Sequence, residues 1–516
     1  MKPGTNNPPI KDLRDWMSRV EEIGELLEIT EQVDRDEEMS AICYLIAKQS
    51  PSPAILFDNI KGFENNPIGA RMLWNVYGPS KRRVALSLEE DPDIETVKLI
   101  SLAKDKLKTR MEPVEVDQAD APIYQNSLVG DKVDLDALPI PRHWPLDGGR
   151  YAGTGDAVIT RDPETGRLNI GTYRMMIQGT RETGLFLSPG KDALLHITKS
   201  WEQGKPIHVA AAWGIDPILL IVGSLSFPKN VSEYEYAGGL KGSPIRVVRA
   251  KNSDLLIPAD AELVVEGVIA PGSLKQEGPF GEFTGYYGKP ASGAPLVEIT
   301  AIHYRDKPII TNALMAEHPS CEQSGYFSIL RSAKIWDDLD KLGVVGITGV
   351  YCHPAGVGGI GMTVISLAQK YAGHAAQVLA LAAQVPGGAF YTKWIIAVDD
   401  DVDPTDIDQV IWAMTSRCNP ADDIDIMRNT WSTELDPSQN PPEKRPYGSK
   451  ALINACKDHR YLSNFAKRTA LRRSVYDNVA ARWKELGLPG TPPVPRAFET
   501  NVPDKTATPP PAGRSR

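Results

Sequence analysis

Apolar residues recur at helical spacing along Leu13, Trp16, Met17, Val20 and Ile23, and Asp12 stands where an N-cap belongs. Short apolar runs follow at 54–57 and 72–76, and a second helical pattern runs from 94 to 107 behind Asp93. This alternation predicts a small α/β domain over residues 1–112. Proline and aspartate then break the pattern from 113 to 145, which reads as a connector along the surface. From Gly153 the period becomes two. Residues 157–160, a turn over Asp162–Gly166 and residues 168–177 predict a β-hairpin. Further strands are predicted at 208–212, 218–223, 245–250, 262–269, 297–304 and 309–314. So many short strands predict an antiparallel barrel-like or sandwich domain over 113–320. After Cys321 the helical period returns through Tyr326, Leu330, Ala333, Ile335, Trp336 and Leu339, ending at Gly343. Strands at 362–367 and 394–398, with helices near 372–384 and 406–417, predict a second α/β domain over 321–485. Beyond Glu485 the periodicity stops, and residues 486–516 read as a disordered proline-rich tail. The fold class is α/β (α+β), with a β-rich domain between two α/β domains.

Composition narrows the function classes. A chain of 516 residues exceeds one core, and 41% apolar with 24% charged residues describes a globular protein. Acids and bases are interleaved at a net charge of −9, which argues against a nucleic-acid partner. The most apolar region, 343–367, holds His353, Pro354 and several glycines, so stable membrane insertion is not expected. The polar start has no apolar signal region, and five scattered cysteines lack metal spacing. Free thiols in a reducing cytoplasm are the expectation.

The chemistry concentrates in Glu277-Gly278-Pro279-Phe280-Gly281-Glu282. Gly278 and Pro279 favour a turn over a helix, and a turn can bring both carboxylates to one cleft. Their repulsion would raise the pKa of one of them, leaving a neutral acid beside a carboxylate for proton delivery. The plain alternative is two acids on a wet surface. Asp399, Asp400, Asp401 and Asp403 invite a metal reading, but a strand end running into a helix start favours acids anyway.

Several ordered motifs resemble the UbiD family of reversible decarboxylases. They are Arg167-Leu168-Asn169-Ile170-Gly171-Thr172-Tyr173-Arg174, Ser232-Glu233-Tyr234-Glu235-Tyr236, the Glu277–Glu282 stretch, Gln369-Lys370-Tyr371-Ala372-Gly373-His374 and Ile411-Trp412-Ala413-Met414-Thr415-Ser416-Arg417. The resemblance spans roughly residues 10–485. It implies a prenylated FMN in the central domain, with Mn²⁺ (or Mg²⁺) and K⁺ at its phosphate and a flavin prenyltransferase as supplier. It implies non-oxidative decarboxylation of an aromatic, heteroaromatic or α,β-unsaturated acid, with release of CO₂, by a homodimer or higher homo-oligomer. Carried over residue by residue, Asn169 and Glu233 are metal ligands, and Ile170, Tyr173, Arg174, Ser224 and Leu225 join them in holding the cofactor. Gly223, Ser224 and Leu225 supply K⁺-binding carbonyls. Arg174, Glu277 and Glu282 are catalytic, with Glu282 as proton donor and Arg174 and Glu277 positioning the substrate carboxylate.

One departure is visible. Better-known members have a His as third metal ligand, whereas alignment here places Asp192 at that position and His196 a turn later. Asp192 is then either a metal ligand or an acid favoured by the helix dipole, and His196 either a ligand or a solvated residue. Three other readings remain: a polyprenyl hydroxybenzoate decarboxylase of quinone biosynthesis, a physiological carboxylase, and a flavin-binding scaffold subunit. Phe283, Met315 and Tyr391 are candidate substrate contacts. His374, Lys370 and Lys393 could face the phosphate or the solvent, and Cys321 and Cys352 are read as packing thiols.

Overall fold

The helix predicted behind Asp12 forms over Leu13–Glu22, with Leu13, Trp16, Met17 and Val20 buried and the Asp12 carboxylate accepting from the Asp15 N–H. A computed structural model of the chain describes residues 8–66, 68–228, 230–439, 447–495 and 498–499. The next predicted helix forms over Thr96–Lys106, two residues later than expected. Its cap is Glu95, not Asp93, and accepts from the N–H groups of Val97 and Lys98. These helices accompany a four-stranded sheet ordered Leu26–Ile29, Ala54–Phe57, Arg71–Trp74 and Ile309–Thr311. The last strand comes from the end of the region read as the β-rich domain and pairs parallel to the third.

The 113–145 stretch is not merely a surface connector. It contributes strands Val114–Glu115 and Asn126–Val129, and it buries Ile123, Val133, Leu135, Leu138 and Ile140. Its apolar residues are spaced singly between prolines and acids, so they carry no periodicity that would mark them as core.

The centre is a nine-stranded, largely antiparallel sheet running 168–171, 156–161, 207–213, 263–269, 291–304, 182–185 and 175–179. Strands 274–277 and 126–129 also pair with 291–304. Two expectations change here, and both build the site. Residues 168–177 are not one strand: the ladder breaks between Leu168–Gly171 and Met175–Gly179. The N–H of Thr172 turns to the Gly223 carbonyl (3.2 Å) and that of Tyr173 to the Asp156 carboxylate (3.2 Å). Residues 218–223, expected as a strand, lie in the helix Pro217–Ser224. Asp216 caps it by accepting from the Ile218 N–H, and Pro217 occupies the first turn, where its missing N–H costs nothing. Every residue from Pro217 to Val222 is buried, so the run has no polar face to mark a helix.

The segment read as one helix after Cys321 starts at Ser324, passes through a π-helical turn at Phe327–Arg331 and continues as Ser332–Lys341. A five-stranded sheet follows, ordered Ile347–Cys352, Met362–Leu367, Trp394–Asp399, Tyr447–Ala455 and Ile424–Trp431. Its inner pairings are parallel and its outer ones antiparallel. Helices His374–Ala382 and Ile407–Arg417 accompany it. In the acidic run, Asp399 and Asp401 are paired with Arg417 at 2.9 and 2.8 Å. One apolar core runs through Trp16, Leu219, Ile221, Tyr326 and Leu330, joining the N-terminal helix, the buried helix and the helix after Cys321. Five cysteines carry free thiols, four of them buried. From Lys457 the chain forms a second unit, in which Tyr476 of helix Arg473–Ala481 packs its ring against Phe498. Of the expected tail, residues 496–497 and 500–516 lie outside the described residues.

The helix Pro217–Ser224 is anchored at its start twice, because Asp216 also pairs with the buried Lys241 of the next helix. Asp216→Ala should destabilise the protein by about 3–5 kcal/mol, the range for removing one partner of a buried ion pair. Adding Lys241→Met should recover most of that loss and leave the roughly 1 kcal/mol of a lost N-cap. Urea unfolding of the single and double variants checks both values.

Candidate active site

The break at residues 172–174 sends Tyr173 and Arg174 into a cleft of about 370 Å³, within the range of small-molecule and cofactor sites. Arg174 is 3% exposed and reaches two carboxylates. Its Nε and Nη2 donate to Glu277 Oε1 and Oε2, both at 2.8 Å, as a bidentate fork. Its Nη1 donates to Glu282 Oε1. The guanidinium lies 3.8 Å from the Phe186 ring centroid and 5.0 Å from that of Phe280. The expected grouping of Arg174, Glu277 and Glu282 is therefore present as geometry, with one guanidinium spanning both acids.

The turn between the acids follows from its residues. Glu277 ends the strand Leu274–Glu277 and is fully buried. Gly278 takes φ +83°, a region that L side chains rarely adopt. Glu282 then closes a second turn, donating its N–H to Tyr286 O (3.0 Å) and accepting from the Gly285 N–H (2.9 Å). Burial pushes the Glu282 pKa up; Arg174 opposes this, while Glu277 reinforces it. Burial also works against the Arg174 cation, but Glu282 and Glu277 outweigh it and raise its pKa.

Asn169, Asp192 and Glu233 line the same cleft. Asn169 sits on the strand Leu168–Gly171, opposite Thr160. Asp192 and Glu233 are each the first residue of a helix, Asp192–Glu202 and Glu233–Lys241. The second helix starts with a capping box between Ser232 and Glu235, which leaves the Glu233 side chain free to point elsewhere. Its Oε2 accepts from the Ile170 N–H at 2.9 Å. Burial raises the Glu233 pKa to about 7, against the Ile170 amide and Arg167. Arg167 pairs with Asp192 and lies 4.0 Å from Glu233. Among the described residues no three His, Cys, Asp or Glu side chains cluster as a metal site, so this oxygen set is two carboxylates and one amide. His196 is not solvated: it is 3% exposed, contacts Thr160 Oγ1 at 3.0 Å, and burial lowers its pKa to about 4.

Gly223, Ser224 and Leu225 end the buried helix at the cleft wall. Ser224 Oγ donates to Leu220 O and lies 3.1 Å from the Tyr326 hydroxyl. Phe283 and Met315 also line the cleft, and Tyr391 packs edge-on against Phe283. Lys393 pairs instead with Asp436, and His374 is buried. Burial raises the Cys321 thiol to about 12 and pushes Cys352 up as well, which makes both unreactive packing groups.

Three cations in the lining escaped the sequence reading: Lys191, Arg331 and Lys334, the last paired with Asp338. Lys191 precedes Asp192 and has its pKa lowered by burial. Arg331 closes the π-helical turn and donates to Phe390 O (2.8 Å) and Thr392 Oγ1 (2.9 Å). Its Nε, Gln323 Nε2 and Thr154 Oγ1 are buried without a hydrogen-bond partner among the described residues. A signal for Arg331 existed: a basic residue one helical turn from both Phe327 and Ile335 in the segment after Cys321.

Comparison with known proteins agrees with this architecture. Residues 17–103, 114–318 and 326–455 match the N-terminal, Rift-related and C-terminal domains described for 3-octaprenyl-4-hydroxybenzoate carboxy-lyase, UbiD. The chain is 33% identical to the phenolic acid decarboxylase of Escherichia coli O157:H7, over 83% of this chain and 89% of that one. It superposes on the closed form of the vanillic acid decarboxylase of Sedimentibacter hydroxybenzoicus with a TM-score of 0.81 and 29% identity, covering 93% and 99% of the two chains. An evolved dimeric form of the UbiD-class enzyme HmfF from Pelotomaculum thermopropionicum, in complex with prFMN, matches with a TM-score of 0.76 and 25% identity over 89% and 97%. With all three family domains matched in order around a buried Arg174 that holds Glu277 and Glu282, the chain belongs to the UbiD family of carboxy-lyases.

Proposed function

We propose that this chain decarboxylates an aromatic, heteroaromatic or α,β-unsaturated acid, reversibly and without net oxidation, using prenylated FMN. The observation that carries the reading is Arg174 shared between two buried carboxylates at the wall of a cofactor-sized cleft. The relatives named for phenolic and vanillic acids support an aromatic acid as the substrate.

The lining fits such a cofactor. Lys191 and Arg331 are cations for a phosphate, and the unpartnered Gln323 Nε2 and Arg331 Nε are donors awaiting an acceptor. Asn169, Asp192 and Glu233 form an all-oxygen donor set, suited to a hard divalent cation such as Mn²⁺ or Mg²⁺. Gly223, Ser224 and Leu225 would supply carbonyls for K⁺, with Ile170 and Tyr173 against the flavin. When bound, prenylated FMN supplies the electron sink for the pair left behind by CO₂.

The residues then have separable tasks. Arg174 binds the substrate carboxylate, and its Nη1, now on Glu282, is the edge that can change partners. Glu277 retains the other edge and fixes the plane of the guanidinium. Once displaced from Arg174, Glu282 keeps its burial and the Glu277 repulsion, so it takes up a proton. It delivers that proton, drawn from solvent, to the carbon that loses CO₂, and it returns ionised to Arg174. Phe186 and Phe280 exclude water from the Arg174 face. A flavin prenyltransferase as supplier, a homo-oligomeric state and a cytoplasmic location complete the reading. Free buried thiols suit that compartment, and no described helix is long and apolar enough to cross a membrane.

Three outcomes test these assignments. Protein co-produced with a flavin prenyltransferase should release CO₂ from a panel of aromatic acids and yield prenylated FMN by mass spectrometry; full turnover with plain FMN overturns the cofactor assignment. Glu282→Gln should lower turnover by at least about 10²-fold, the usual contribution of a general acid, with cofactor content unchanged. Asp192→Ala should reduce bound Mn and cofactor while His196→Ala keeps both. Metal analysis of the two variants decides, and wild-type Mn in Asp192→Ala returns that residue to a helix-dipole role.

A further inference from the structure

The segment 143–151 packs beneath the turn that joins Glu277 to Glu282, and Asp147 sits at the contact. Asp147 is 7% exposed, and among the described residues it forms no ion pair. Its Oδ1 accepts from the Gly281 N–H at 2.9 Å and its Oδ2 from the Trp144 N–H at 2.9 Å. A carboxylate withdrawn from water onto two backbone amides is expensive to maintain, so the geometry it enforces calls for a reason. The same segment grips the turn at Pro279, whose carbonyl accepts from the Gly148 N–H (2.8 Å) and from the Tyr151 hydroxyl (3.2 Å). The approach is close enough to require glycine on both sides. A Cβ at Gly148 would lie 2.3 Å from Gly278 O, and one at Gly281 would lie 2.1 Å from Trp144 Cδ1. Trp144 is in turn anchored by its Nε1, which donates to Met315 O at 3.2 Å.

We propose that Asp147 is a positioning residue for the proton-transfer step: by holding the Gly281 amide it fixes the backbone root of Glu282 relative to Arg174. This rests on the assignment of Glu282 as the acid. Glu282 must exchange Arg174 for a proton without losing its aim. A side chain can do that only if the backbone on which it pivots stays still. Neither Asp147 nor Tyr151 belongs to the Glu277–Glu282 stretch or to the cleft lining.

Asp147 also acts through its charge. Glu282 is faced by Arg174, which favours its ionised form, and by Glu277 and Asp147, which disfavour it, with the Phe283 N–H on the side of Arg174. Burial raises Asp147 itself to about 6, against the amides of Gly281, Trp144 and His143, so its charge is present above that pH. A rate that needs protonated Glu282 falls as pH rises through the Glu282 pKa. Removing the Asp147 charge lowers that pKa, so the alkaline limb should move to lower pH.

The test uses holoenzyme co-produced with the prenyltransferase and an aromatic acid that the wild type turns over. Asp147→Asn should keep cofactor content and KM near wild type, lower kcat by about 10- to 100-fold, as small misplacements of a reacting group do, and shift the alkaline limb downward. Tyr151→Phe removes one hold on Pro279 without changing charge, and should lower kcat several-fold with the limb unmoved. Wild-type kcat in Asp147→Asn overturns the proposal. So does a fall in activity that only tracks lost cofactor. If Asp147→Asn does not fold, Tyr151→Phe decides alone, and unchanged kcat there is a refutation. Glu282→Gln is measured alongside. Wild-type turnover in that variant overturns the acid assignment, whereas its loss combined with a normal Asp147→Asn overturns only the positioning role.

Discussion

One guanidinium serving two buried carboxylates is the constraint on which the rest of the site depends. Arg174, Glu277 and Glu282 are each 6% exposed or less, so none has water to fall back on. Removing Arg174 would leave two uncompensated acids in a low-dielectric wall, and removing one acid would change the charge state of the other. The asymmetry within the cluster matters more than its strength. Glu277 holds a planar, two-point fork, which is hard to displace. Glu282 holds a single nitrogen. A substrate carboxylate competing for Arg174 therefore meets one firm partner and one exchangeable partner, and the exchangeable partner is the one that burial already pushes toward protonation.

That cluster exists because the ladder of the central sheet is interrupted. Had residues 168–177 formed one strand, Arg174 would have alternated into the sheet face with its neighbours. Instead the amides of Thr172 and Tyr173 find partners on Gly223 and Asp156, and the chain turns Arg174 into the cleft. The Gly223 carbonyl belongs to the helix that Asp216 and Pro217 begin. A capping choice at one end of a buried helix thus sets the wall that receives the strand break.

These relations explain what the sequence could and could not reveal. The Glu277–Glu282 turn was legible because Gly278 and Pro279 limit the backbone locally. The helix after Asp12 was legible because its apolar stripe faces a core while its other face is wet. Helix 217–224 was misread as a strand because burial on all sides erases periodicity, although Asp-Pro ahead of it is a helix-start signal. Strands 347–352, 424–431 and 447–455 were not anticipated; 424–431 is exposed at most positions and carries no alternating stripe. The buried residues of 113–145 escaped for a related reason, since single apolar residues between prolines have no period. Asn169, Asp192 and Glu233 were reached through family resemblance, not through spacing. They lie on three separate segments, and only the tertiary fold makes them neighbours.

The two ends of the cleft are built from different kinds of backbone, and the difference suits the tasks proposed for them. Asp192 and Glu233 each open a helix, where a carboxylate is favoured by the unpaired amides and the dipole whatever it goes on to bind. An acid placed there has its position set by a helix start, which suits the ligand role proposed for it, and for Glu233 burial works against the ionised form that the helix end favours. Glu282 sits instead in a turn, with no helix end to hold its charge, and its ionisation is left to Arg174, Glu277 and burial. A proton donor has to change charge in every cycle, so a site that locked it ionised would defeat it. The turn gives Glu282 that freedom, and the backbone contacts of 144–151 keep the freedom confined to the side chain.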